Sequence, residues 1–208
     1  MTQTKRIRLA APERRAAVLD SALREFSEGS YRGTTTAAIA RVAGVTEPIL
    51  YRHFASKREL FFACLDESWA RVRELWERAV AEEPDPAHWI RAMALAYRDA
   101  AGLRNVVSSL WIQALAEASE DPEIAGYMTR HLGEVHAFVA AVYRRAQAAG
   151  GVAEGRVPEA EAWIFLAIGL LRAADDRLGG PIDQYFDEIG ASRLAWLTGA
   201  SAPVPLVD

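Results

Sequence analysis

The side chains best suited to chemistry in this 208-residue chain are four histidines and one cysteine, and their spacing supports neither metal binding nor nucleophilic catalysis. His131 and His136 lie five apart, so they do not share a helix face as i, i+4 ligands would. His88 is isolated, and Cys64 sits in the apolar stretch Phe61, Phe62, Cys64, Leu65, where it reads as a small buried hydrophobe. There is no Walker loop, dinucleotide fingerprint, G-x-S-x-G or H-E-x-x-H. The expectation is no catalytic residue, no metal site, no cofactor and no enzyme activity.

Charge points instead to recognition. Residues 1–60 carry 11 Lys+Arg against 6 Asp+Glu, a balance of +5, whereas the rest of the chain balances at −9. A basic head on an acidic body suggests that the head meets a polyanion. No charged n-region precedes an apolar h-region, and the longest apolar run, Ala162–Leu171, has ten residues, too short for a bilayer. A soluble cytoplasmic protein without a membrane partner is expected.

The elements that would position a recognition surface are all helical, and no alternating run is bounded by hairpin turns. The predicted class is all-α with about nine helices. Pro12 opens the first, with Leu19, Ala22, Leu23 and Phe26 on one stripe and Gly29 at its end. A short helix over 35–43, a break at Gly44 and a second short helix from Thr46 to His53 follow. Ser56 and Glu59 form a capping box that starts a long helix with stripe Phe61, Leu65, Trp69, Val72, Trp76 and Val80. Further helices are expected over about 86–100, 103–118, 121–149, 158–178 and 182–198, broken at Gly102, Asp121-Pro122, Gly150-Gly151 and Gly179-Gly180-Pro181. This divides the chain into a head at 1–55, with a basic arm at 1–10, a helical body at 56–200, and a fraying tail at 201–208. The arm segment Lys5-Arg6-Ile7-Arg8 is either a polyanion tether or a minor-groove reader.

Helix, short helix, glycine-centred turn, short helix is the layout of a helix-turn-helix. The wording Thr34-Thr35-Thr36-Ala37-Ala38-Ile39-Ala40-Arg41-Val42-Ala43-Gly44-Val45, then Leu50-Tyr51-Arg52-His53-Phe54 and Ser56-Lys57-Arg58-Glu59-Leu60-Phe61, resembles the tetracycline-repressor (TetR-like) family over roughly residues 12–65. The resemblance implies a ligand-responsive repressor of double-stranded operator DNA. It places Thr35 and Thr36 on a phosphate and Thr46, Glu47 and Pro48 at base edges. Tyr51 and His53 would lie on phosphates beside the groove, Lys57 on another phosphate, and Arg52 on base or backbone. The sequence departs from the best-known member of that family at Ala37, which replaces a base-reading basic residue, and at Glu47, which replaces an amide. A glutamate accepts from cytosine N4 but repels phosphate, so the operator sequence does not carry over.

All six tryptophans lie in the body. The resemblance implies an inducer cavity there, with Trp69, Trp76, Tyr97, Trp111, Tyr127, Phe138 and Trp163 as candidate walls. Asn105, Gln113, His131 and Arg172 are the candidate polar anchors, for a small, mostly apolar effector. Each aromatic reads equally as core packing. The segments 158–178, apolar nearly all round, and 182–198 match the family's homodimer interface, with Gly169 and Gly190 allowing close helix approach; an ordinary buried helix is the alternative. Nothing in the residues separates a repressor from an activator, or control by a small ligand from control by a protein partner.

Overall fold

The computed structural model describes residues 11–200; the arm at 1–10 and the tail at 201–208 lie outside the described residues. Among those described there are nine α-helices and no strand, an all-α fold. They are α1 (Ala11–Glu28), α2 (Thr36–Val42), α3 (Glu47–His53), α4 (Lys57–Glu82), α5 (Trp89–Asp99), α6 (Ala101–Ala118), α7 (Pro122–Ala148), α8 (Pro158–Arg177) and α9 (Phe186–Leu197). Short 3-10 turns, Pro86–His88 and Asp183–Tyr185, precede α5 and α9.

Local chemistry sets the turn between α2 and α3. Gly44 takes φ +69°, Val45 N–H donates to the Ala40 carbonyl and Gly44 N–H to that of Arg41, a Schellman closure that favours glycine at this φ. Ser56 Oγ accepts from Glu59 N–H at 3.0 Å, and Glu59 Oε2 accepts from Ala55 N–H at 2.7 Å, so the capping box closes one residue earlier than its simplest form. Gly102, expected as a break, lies in the first turn of α6. N–H groups there lack intrahelical partners anyway, and the chain bends at Ala100 instead (φ −83°, ψ 54°).

Two apolar clusters hold the molecule. The first joins Val18, Leu23 and Phe26 of α1, Ile39 of α2, Leu50 of α3 and Phe61 and Leu65 of α4 to Leu110 and Ala114 of α6 and Ile124 and Met128 of α7. The second joins Val72 and Trp76 of α4 to Met93, Val139, Tyr143 and Leu197. Trp111 packs against both. The helix-turn-helix therefore shares its core with α6 and the start of α7.

α8 exposes Trp163, Ile164, Leu170 and Leu171, because it packs on α7 and α6 with one face only, and this leaves uncovered within the chain the helix that the sequence reading assigned to a homodimer contact or to ordinary burial. Gly169 and Gly190 meet no atom within 4 Å of an added Cβ, so within this chain neither marks a close helix approach.

Candidate nucleic-acid interface and internal cavity

On the head, α3 presents Thr46, Pro48, Tyr51 and Arg52 to solvent, with His53 half-buried at its end. Thr46 is the N-cap by position, but its side chain makes no capping bond. Thr35 caps α2 by accepting from Ala38 N–H at 3.1 Å, so a phosphate at Thr35 would compete with the cap. Thr36 is buried and donates to Glu47 Oε1 at 2.5 Å, which commits its only proton. Tyr51 Oη, 3.1 Å away, therefore donates to Thr36. This Thr36–Glu47–Tyr51 cluster ties α2 to α3, and it was not readable from residues eleven and fifteen apart. Lys57 Nζ donates to the Arg32 carbonyl at 3.3 Å and lies 4.8 Å over the Tyr31 ring, where partial burial lowers its pKa. Its other two N–H bonds are available for a phosphate.

The body holds a partly open cavity of about 810 Å³ between α4, α5, α6, α7, α8 and α9. Trp69, Trp76, Tyr97, Trp111 and Phe165 form its aromatic side, with Val72 beside them. Trp76 meets Trp69, Tyr97 and Phe165 edge-on at 5.9, 6.1 and 5.4 Å between ring centres. On the polar side Arg104 Nε bonds Asp176 at 2.9 Å, Arg172 bonds Asp183 at 2.7 Å, and Arg193 pairs with the buried Glu161.

The described residues contain no grouping of His, Cys, Asp or Glu suited to hold a metal ion and no helix long and apolar enough to cross a membrane. The profile of bacterial regulatory proteins of the tetR family matches residues 18–64, which is the helix-turn-helix, and that of the C-terminal part of BetI-type transcriptional repressors matches 86–169, which includes much of the cavity wall. The chain belongs to the TetR family. It is a transcriptional regulator with a DNA-binding head and not an enzyme. The regulator BetI of Burkholderia cenocepacia is 26% identical to this TetR-family chain over 174 residues, 82% of this chain and 86% of that one. Among solved structures, FadR of Bacillus subtilis in complex with stearoyl-CoA superposes with TM-score 0.72 at 16% identity, covering 90% and 99% of the two chains. A regulator from Saccharomonospora viridis in complex with choline gives 0.68 at 20% identity, covering 88% and 94%.

Within this TetR-family body the structure brings Trp69, Trp76, Tyr97, Trp111, His131 and Arg172 together at the cavity. Five residues expected beside them stand elsewhere, and helical geometry explains each. The cavity face of α6 runs through Arg104, Val107, Ser108 and Trp111, so Asn105 faces solvent and Gln113 faces α1. On α7, Tyr127 stacks on Phe62 at 4.1 Å, and Phe138 stands behind Trp69 and Trp76 at 5.5 and 6.2 Å. Trp163 lies on the outer face of α8, stacked on His136. Tyr143, Phe165, Phe186, Arg104 and Arg193 line the cavity without having been anticipated. The one sequence hint was Glu161, an acid at the start of an apolar run, which accepts from Trp196 Nε1 at 2.8 Å.

Proposed function

We propose that this regulator represses transcription as a homodimer on a palindromic operator and is released when a small, mostly apolar ligand enters the body cavity. The head at 1–55 reads DNA and the body at 56–200 senses the ligand. The observation that carries this reading is the position of α6. One face of α6 lines the cavity, and another holds the head: Ser109 Oγ donates to the Ser27 carbonyl and Gln113 Nε2 to the Phe26 carbonyl, both at 2.8 Å. A ligand that displaces the Trp111 face of α6 shifts the end of α1 and with it the recognition helix.

The lining argues for an uncharged ligand. Arg98, Arg104, Arg172 and Arg193 already face carboxylates, and among the described lining residues only the exposed Arg91 lacks such a partner. The cavity is thus poorly furnished for a multiply charged headgroup like that of the acyl-CoA in FadR. A quaternary ammonium such as choline needs open aromatic faces. Here the rings close edge-on against one another, and the Arg73 guanidinium lies 5.5 Å over Phe138. A volume of about 810 Å³ falls within the roughly 300–1,000 Å³ of drug-sized sites.

Operator binding and run-off transcription test the reading. Repression by the protein alone, lifted by an apolar ligand, is expected; a rise in transcript with protein alone would make it an activator. Lys57→Ala removes a phosphate donor and should weaken binding to every sequence alike, by about tenfold or more for a charge-assisted bond. Glu47→Ala should instead relax preference at one base pair, and an unchanged preference matrix would remove Glu47 from the groove.

The dimer is carried by the uncovered face of α8. Ile164 and Leu171, seven residues apart, sit on one helical face and are 38% and 39% exposed. Ile164→Glu with Leu171→Glu is expected to give monomers in sedimentation and to lower affinity for a two-half-site operator at least about a hundredfold. A stable dimer in that double variant would place the interface elsewhere.

A further inference from the structure

We propose that His131 is the polar anchor of the cavity, its Nε2 accepting a hydrogen bond from the hydroxyl group of an otherwise apolar ligand. The proposal rests on the cavity being the effector site argued above. His131 lines the cavity, its side chain is 2% exposed, and its Nε2 is buried without a hydrogen-bond partner. Buried polar atoms nearly always have a partner, so this one calls for a group absent from the chain itself.

The other ring nitrogen settles what that group must be. Tyr127 Oη lies 2.5 Å from Asp66 Oδ1 and gives it the phenol's only proton. The phenol oxygen can then only accept from His131 Nδ1, 3.3 Å away. With the proton on Nδ1, a neutral imidazole presents a lone pair at Nε2. Desolvation favours that neutral form by lowering the pKa of His131, against opposing fields from Asp66 on α4 and Glu134 on α7. No charged group faces the ring from α6, where Trp111 meets it edge-on at 5.7 Å. Tyr127 stacks at 5.5 Å, so the ring is held from two sides.

A hydroxyl or other N–H or O–H donor therefore completes the site. An ether or carboxylate oxygen would bring lone pair against lone pair. Trp76 Nε1 is also buried in the cavity wall without a partner. It is a donor and serves hydroxyl and ether oxygens alike, so it does not discriminate between them.

Calorimetry on the full chain with 2-naphthol and 2-methoxynaphthalene separates the possibilities, since the pair differs chiefly in the donor. Wild type should prefer the naphthol by roughly three- to tenfold, the worth of one net hydrogen bond. His131→Phe should bring the ratio close to one. Tyr127→Phe retains the ring stacked on Phe62 but removes the acceptor for Nδ1–H, and should lower the ratio without abolishing binding. Thermal melts confirm that each variant is folded, and if His131→Phe does not fold the Tyr127→Phe ratio decides. A naphthol preference that persists in either folded variant overturns the anchor while leaving the cavity as the effector site. Wild type that binds neither compound overturns the cavity reading, and the anchor with it.

Discussion

Gly151→Ala is expected to lower stability by about 3–5 kcal/mol, at the extreme of single substitutions. For a chain of this size that is a fall in Tm on the order of 10 °C. A Cβ at Gly151 would lie 2.2 Å from the Pro86 carbonyl carbon, 2.4 Å from Ala87 N and 2.5 Å from Pro86 O. These are backbone atoms and cannot swing aside as a side-chain tip would. The turn they belong to is itself fixed, because Asp85 Oδ1 accepts from Ala87 N–H and Trp89 Nε1 donates to the Glu83 carbonyl, both at 2.9 Å. Gly151 is equally tied, its N–H donating to the Ala146 carbonyl at 2.8 Å. The α7–α8 connection must therefore part from the start of α5, whose neighbours Ala87 and Ile90 line the cavity. Gly133→Ala is the control: it lies within α7 with open space at its Cβ position, and should gain about 0.5–1 kcal/mol of stability. Equal melting temperatures for the two variants would refute the packing of α7–α8 on α5.

The helix-turn-helix was legible because its signals are local. Gly44 at a left-handed φ, the Ser56–Glu59 cap and the stripe from Leu19 to Phe26 each act over a few residues, and each occurs in the fold. The cavity was legible only in part. A 3.6-residue period separates covered from exposed faces, but it does not tell a cavity wall from the layer behind it. Trp76 and Phe138 look alike in sequence, yet one lines the cavity and the other backs it. On α8 the apolar content allowed two readings, a dimer face or an ordinary buried helix, and Trp163 and Leu171 are exposed within this chain. Apolar periodicity alone does not separate a helix buried within its own chain from one that keeps an apolar face uncovered there. The Thr36–Glu47 bond and the Asp66–Tyr127–His131 chain join residues on different helices, so they followed only from the packing.

Ser109→Ala combined with Gln113→Leu is expected to leave operator and ligand binding near wild type while abolishing their mutual exclusion. Two kinds of contact link the head to α6 and α7. Arg32 pairs with Glu117 at 2.9 Å and with Glu120, and Arg58 with Asp121 at 3.0 Å and with Glu123. The arginines are 61% and 34% exposed, so each pair contributes little and is screened by salt. Ser109 and Gln113 are instead shielded, and they satisfy last-turn carbonyls of α1 that have no intrahelical partner. Losing such a bond costs about 1–3 kcal/mol and removes a directional constraint. Ser109 also accepts from Arg177 Nη2 at 3.1 Å, which brings α8 to the same point. In the double variant Leu110 and Ala114 still hold α6 on the head, but apolar packing is non-directional and lets the helix slide. With 2-naphthol as ligand, wild type should lose operator affinity at least about tenfold, equivalent to about 1.4 kcal/mol of coupling. The variant should show a ratio near one at unchanged naphthol affinity. Raising salt to about 0.3 M weakens operator binding itself but should preserve the wild-type ratio, because the exposed ion pairs do not carry it. A ratio that collapses with salt and survives the double substitution would assign the coupling to Arg32 and Arg58 instead.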